Sequence, residues 1–120
     1  MESIIAQMKA LGERNRLRAF LALTVTGELC VCQVGDLLCL SPATVSRHMS
    51  ILGAAGLVEW EKRGKWVYYR LSETVAPGLM EWIRQSARDN SVFADDSEKL
   101  ASLRSRQESC CGQPERRDNE

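Results

Sequence analysis

The chain has 120 residues with 16 basic and 16 acidic side chains, so its length allows one domain and its net charge alone argues for no partner. No apolar run approaches the ~18 residues that a bilayer span requires, and the opening MESIIAQMKALGERNR is too polar for a secretion signal, which predicts a cytoplasmic protein with no membrane partner. In a reducing compartment its five cysteines read as ligands or buried thiols rather than structural disulfides.

Residues 3 to 11 set Ile4, Ile5, Met8 and Leu11 at helical spacing, and Gly12 interrupts them. A second helix is predicted from about Glu13 to Thr24, with Leu17, Phe20, Leu21 and Leu23 facing inward and Gly27 as its stop. Glu28-Leu29-Cys30-Val31-Cys32 reads as a short extended lead-in that turns into a helix running to about Cys39. Val31, Val34, Leu38 and Leu40 form the apolar side of that helix, and Gly35 on the same side lets a neighbour approach closely. Ser41-Pro42 is a helix start, a capping hydroxyl followed by the residue best suited to the first helical position. The helix it opens runs to about Ala55, with Val45, Met49 and Leu52 as its stripe and Gly56 as its stop.

Leu57 to Glu61 and Trp66 to Leu71 alternate around Lys62-Arg63-Gly64-Lys65, a β-hairpin with a basic tip. Trp60, Trp66, Tyr68 and Tyr69 are assigned to hairpin and core packing. Residues from Ser72 to Asn90 are a further helix candidate, with Leu79, Met80, Trp82 and Ile83 apolar, and Pro77-Gly78 puts its firm start near Leu79. A last short helix is expected over residues 97 to 106, followed by a disordered polar tail carrying Cys110 and Cys111. The expected organisation is thus a domain over residues 1–90 and a C-terminal extension over 91–120. The fold class is mainly α with a small β-hairpin (α+β).

Two short helices joined tightly and followed by a hairpin make a winged helix-turn-helix. The second helix, from Pro42, would enter the major groove of double-stranded DNA. Its exposed residues read as Ala43, Thr44, Arg47, His48 and Ser50; with Ser41 and Ser46 they make up the reading surface. Arg47 suits bidentate donation to guanine, and Lys62, Arg63 and Lys65 of the wing suit phosphate or the minor groove. His48 is the only histidine. It is weighed as a DNA contact against a plain surface residue, and it has no second histidine to share a metal.

The string GELCVCQVGDLLCLSPATVSRHMSILGAAGLVEWEKRGKWVYYRLS resembles the ArsR/SmtB family of metal-sensing repressors. ELCVC, SRHMSIL, GLV and GKWVYYRLS carry a likeness to its arsenical resistance operon repressors, and the resemblance covers roughly Ile4 to Arg88. It implies a homodimer held by residues 3–11 and 79–89, an imperfect palindromic operator upstream of resistance genes, and release of the DNA when an ion binds. The implied inducer is trivalent arsenic, as arsenite or methylarsenite, or antimonite, with no organic cofactor.

Soft ions of this kind prefer thiolates, and the candidate ligands are Cys30 and Cys32, with Cys110 and Cys111 as a source of further thiols or a second site. Arsenic sensors of the family often carry a third cysteine where this chain has Gly35. Residues two apart share a face in a strand and oppose one another in a helix, so Cys30 and Cys32 are expected to chelate one ion only in extended backbone. Ion capture would then unwind the start of the bracing helix and shift the reading helix. Cys39, about seven residues beyond Cys32, is read as structural. Cadmium or lead sensing and thiol-redox sensing stay open as alternatives. The helix LMEWIRQSARDN holds no histidine, which argues against zinc or nickel. With no C-x-x-C motif and His48 on the reading helix, an enzyme is not expected.

Overall fold

A computed structural model describes residues 1–105. Cys110, Cys111 and the expected disordered tail lie outside the described residues. The elements in chain order are α1 (Glu2–Leu11), α2 (Arg14–Thr26), β1 (Glu28–Cys30), α3 (Val31–Leu38), α4 (Pro42–Ala54), β2 (Val58–Arg63), β3 (Trp66–Leu71), α5 (Pro77–Ala87) and α6 (Ser91–Ser105).

The sheet is larger than the expected hairpin. β1 pairs antiparallel with β3, Glu28 opposite Arg70 and Cys30 opposite Tyr68, giving three strands in the order β1-β3-β2. A three-residue strand carries little periodic signal of its own; its partner, forty residues away in sequence, decides it. The wing closes in two residues, because Arg63 pairs with Trp66. Gly64 has φ +64°, as the first central residue of a primed hairpin turn requires.

The core is drawn from every helix of the reading head. Phe20, Leu23, Leu37, Met49, Leu52 and Leu57 are fully buried, each contributing about 1.5–3 kcal/mol of apolar transfer energy. Phe20 and Leu23 come from α2, Leu37 from α3, and Met49 and Leu52 from α4, so one core fixes the bracing and reading helices together. Gly35 serves the close approach expected of it. A Cβ there would stand 2.9 Å from the Leu40 carbonyl oxygen in the α3–α4 turn and 3.8 Å from Val45 Cγ2.

Within the stretch from Ser72 to Asn90 read as a helix candidate, the helix begins at Pro77, and the last helix starts earlier than expected. Pro77 is itself the first residue of α5, a position where its missing N–H costs nothing. α6 begins at Ser91 rather than Ser97 and buries Leu100 and Leu103 in the common core. Asn90 Oδ1 accepts from Val92 N at 2.8 Å and so caps its start. No helix among the described residues is long and apolar enough to cross a membrane.

Candidate DNA-reading surface and thiol site

Cys30 ends β1 and is the N-cap of α3, with extended backbone at φ −83° and ψ 165°. Cys32 is the second residue of α3, yet the two Sγ atoms lie 2.9 Å apart. The two sulfurs thus meet at the strand-to-helix junction, with Cys30 extended and Cys32 helical, rather than in a wholly extended segment. An N-cap side chain folds over the first turn of its helix, as capping serines do, and there it finds the side chain of the second helical residue. Gln33 completes the junction, its Oε1 accepting from Cys30 N at 2.9 Å. Cys30 is fully buried and Cys32 half-buried. The partial positive charge of the helix start lies beside both sulfurs.

Two sulfurs suit a soft ion. Among the described residues no cluster of three or more metal-ligating side chains occurs. Cys39 stands at the opposite end of α3 and is exposed, in the left-handed conformation at φ 60°. It occupies the C-cap slot that glycine favours. Its role is a backbone one without burial, and it does not join the pair.

On α4, Ser41 Oγ accepts from Thr44 N at 3.3 Å and donates to Thr44 Oγ1 at 3.1 Å. Both hydroxyls are thus tied to the helix start. Ala43, Ser46, Arg47 and Ser50 are exposed, while Thr44 and His48 are half-buried. Val45 and Met49 are fully buried and hold the opposite face. Burial pushes the Tyr69 phenol up from its ordinary value, against a hydrogen bond with Ser46 that pulls it down. Ser46 is therefore joined to the sheet as well as turned outward. The Nδ1 of His48 lies 3.4 Å from Arg16 Nη1. Arg16 is itself anchored by a 2.7 Å bond from Nε to the Ala10 carbonyl, a role that no local sequence pattern announces.

The wing divides its cations. Lys62 and Lys65 are exposed and form no ion pair with the described residues. Arg63, read from the sequence as a contact for phosphate or the minor groove, is 46% exposed and also engages groups of the protein itself. Its Nη2 lies 2.6 Å from Glu28 Oε2 and 3.1 Å from Glu61 Oε1, its Nη1 lies 3.2 Å from Glu28 Oε1, and its Cζ sits 4.5 Å over the Tyr68 ring. Glu28 was missed because its partner is 35 residues away in sequence.

α1 and α5 leave an apolar face uncovered. Ile4 is 56% exposed, Met8 50% and Trp82 64%. A groove of about 770 Å³ between them is lined by Met8, Leu17, Leu79, Trp82, Ile83 and Phe93, among others.

The pattern of bacterial regulatory proteins of the arsR family matches residues 14–59, from the start of α2 to the first residues of the wing. An arsenic resistance transcriptional regulator of Pseudomonas putida is 33% identical over 79% of this chain and 84% of its own length. The chain belongs to the ArsR family.

The arsenical resistance operon repressor of Escherichia coli is 44% identical over 65% of this chain, and the match spans 63% of that protein, slightly under two thirds. A cadmium resistance regulatory protein CadC homolog of Staphylococcus aureus is 38% identical over 61% of this chain and 60% of its own length. Among solved structures, the homodimeric winged helix-turn-helix DNA-binding domain of a possible ArsR-family regulator from Mycobacterium bovis superposes with TM-score 0.63. That domain is 26% identical over 73% of this chain and 81% of that one. ArsR-family proteins are transcriptional regulators, not enzymes, and the winged helix-turn-helix of this chain is their DNA-binding fold.

Proposed function

We propose that this ArsR-family protein is a homodimeric repressor of arsenical resistance genes. It binds an imperfect palindrome and leaves it when trivalent arsenic or antimony is captured by Cys30 and Cys32. The observation that carries this reading is the approach of two sulfurs to 2.9 Å at the start of the helix that braces the reading helix. Two relatives named as arsenic and arsenical regulators support this inducer, whereas a third is a cadmium regulator.

On DNA, α4 presents Ala43, Thr44, Ser46, Arg47 and His48 to the groove, Ser41 holds its N-terminus, and Lys62 and Lys65 meet phosphates. The uncovered face of α1 and α5 receives a second copy, so that two reading helices match the two-fold symmetry of the site.

Two thiolates with bonds of about 2.3 Å to one ion sit roughly 3.4–3.8 Å apart, so capture parts the end of β1 from the first turn of α3. α3 packs on α4 through Gly35, whose Cα faces the Leu40 carbonyl and Val45, so movement of α3 shifts the reading helix. A third ligand position, held by Gly35 in this chain, falls to Cys110 or Cys111, or stays empty when the inducer is methylarsenite.

The test is a gel shift on operator DNA with wild type, Cys30→Ser, Cys32→Ser and the Cys110→Ser/Cys111→Ser double variant, titrated with arsenite, methylarsenite, antimonite and cadmium. Loss of arsenite response in the first two variants is expected. Release of either by arsenite at wild-type concentrations would overturn the site, and release of wild type by cadmium alone would reassign the inducer.

A further inference from the structure

We propose that Arg63 couples the Cys30–Cys32 pair to the wing, so that ion capture disturbs the wing as well as the reading helix. This rests on the reading of the pair as the inducer site.

The coupling follows from one face of the sheet. Residues two apart on a strand share a face, and so do cross-strand partners. Glu28 and Cys30 of β1, Tyr68 of β3, and Glu61 and Arg63 of β2 therefore lie together, since Cys30 pairs with Tyr68 and Tyr68 with Glu61. Across this face Arg63 spans the sheet. Its guanidinium stacks on Tyr68, the partner of the ligand residue, and grips Glu28, two residues before it, through both terminal nitrogens.

A single exposed ion pair of this kind contributes little to stability. A bidentate grip combined with a stacked ring nonetheless fixes direction, and direction is what a wing needs. The geometry also explains why a cation two residues from Lys65 is directed back to β1 rather than outward.

When the sulfurs part, the moving end of β1 carries the backbone between Glu28 and Cys30 with it. Of the three groups that hold Arg63, Glu61 lies on its own strand, while Tyr68 and Glu28 lie at or beside the moving end of β1, so the stack and the grip are strained together. The cross-strand neighbour of Arg63 is Trp66, which places a natural reporter at the wing tip.

The experiment uses full-length protein with Trp60→Phe and Trp82→Phe, leaving Trp66 as the one indole, and sodium arsenite as the probe. Three quantities are read: arsenic bound per chain, Trp66 emission, and the ratio of operator affinities without and with arsenite. In this background arsenite is expected to load and to change the Trp66 emission. Adding Arg63→Ala, or Glu28→Gln as the milder variant, is expected to leave loading intact, to remove most of the emission change, and to shrink the affinity ratio about three- to tenfold, within the range of ordinary coupling between sites. Full loading with an unchanged emission response and an unchanged ratio in both variants would overturn the coupling, as would a parent that loads arsenic without any change at Trp66. A parent whose loading survives Cys30→Ser and Cys32→Ser would instead sink the inducer-site reading, a separate failure.

Discussion

Arg18 of α2 and Asp96 of α6 meet in a two-pronged ion pair, Nε and Nη2 each 2.9 Å from a carboxylate oxygen. Asp96 is buried, and its hydrogen bond, followed by its charge, holds the Arg18 guanidinium above its ordinary range against the opposing effect of burial. Arg18 Nη2 also donates to the Leu37 carbonyl at 3.3 Å, and Lys99 Nζ of α6 donates to the same oxygen at 2.9 Å. The C-terminal end of the bracing helix is thus held by cations from two other helices. Asp96→Ala strands Arg18 among its remaining partners and is expected to cost about 2–3 kcal/mol. A thermal melt should fall by roughly 10 °C; an unchanged melt would show that α6 is only loosely attached.

Gly35→Ala is expected to destabilise by about 1–3 kcal/mol, the usual cost of overpacking. The obstacle is the Leu40 carbonyl, backbone that cannot rotate away, so the α3–α4 turn itself must move. Denaturant unfolding measures the stability, and the same variant should bind operator DNA more weakly at temperatures where it is fully folded.

Cys39→Gly is expected to stabilise by about 0.5–1 kcal/mol, because a left-handed conformation strains any residue with a Cβ. Cys39→Val should destabilise for the same reason. Arsenite-induced release should be the same in Cys39→Gly as in wild type, which a gel shift checks.

Stability should fall at alkaline pH through Tyr69. Burial raises its phenol above the ordinary 10.0, so the folded state holds the proton more tightly than the unfolded chain does. That contribution is fully present below pH 10.0 and is lost as pH rises through the folded value. Melts of wild type between pH 9 and 12 should decline more steeply than those of Tyr69→Phe, as the phenol's linkage term requires.

Lys62→Ala and Lys65→Ala should each lower the slope of log affinity against log salt by about 1, if each lysine neutralises one phosphate. Arg47→Ala should instead narrow the gap between operator and unrelated DNA, at a cost of about 1–3 kcal/mol on the operator. Fluorescence anisotropy at several salt concentrations separates the two behaviours.

Much of this was legible in the residue string because it depends on neighbours in sequence. Ser41-Pro42 announces α4, Gly35 announces a close approach, and Lys62-Arg63-Gly64-Lys65 between alternating strands announces a wing. What escaped depends on distant partners. β1 is a strand because Tyr68 and Arg70 lie beside it, Arg63 reaches over the sheet because Glu28 lies across it, and Asp96 is buried because Arg18 waits 78 residues earlier. The thiol pair fell between these cases. Its two members were plain from ELCVC, but helix and strand periodicities each describe uniform backbone, and neither describes the junction where one becomes the other.

The uncovered Ile4, Met8 and Trp82 carry a consequence for dosage. With the second copy proposed above seated on that face, the fraction of paired chains depends on how many chains the cell holds. Dilution by growth then thins the paired form faster than the total, and repression weakens more steeply than the protein itself declines. A gene set guarded in this way would begin to leak at low copy number before any metalloid arrives.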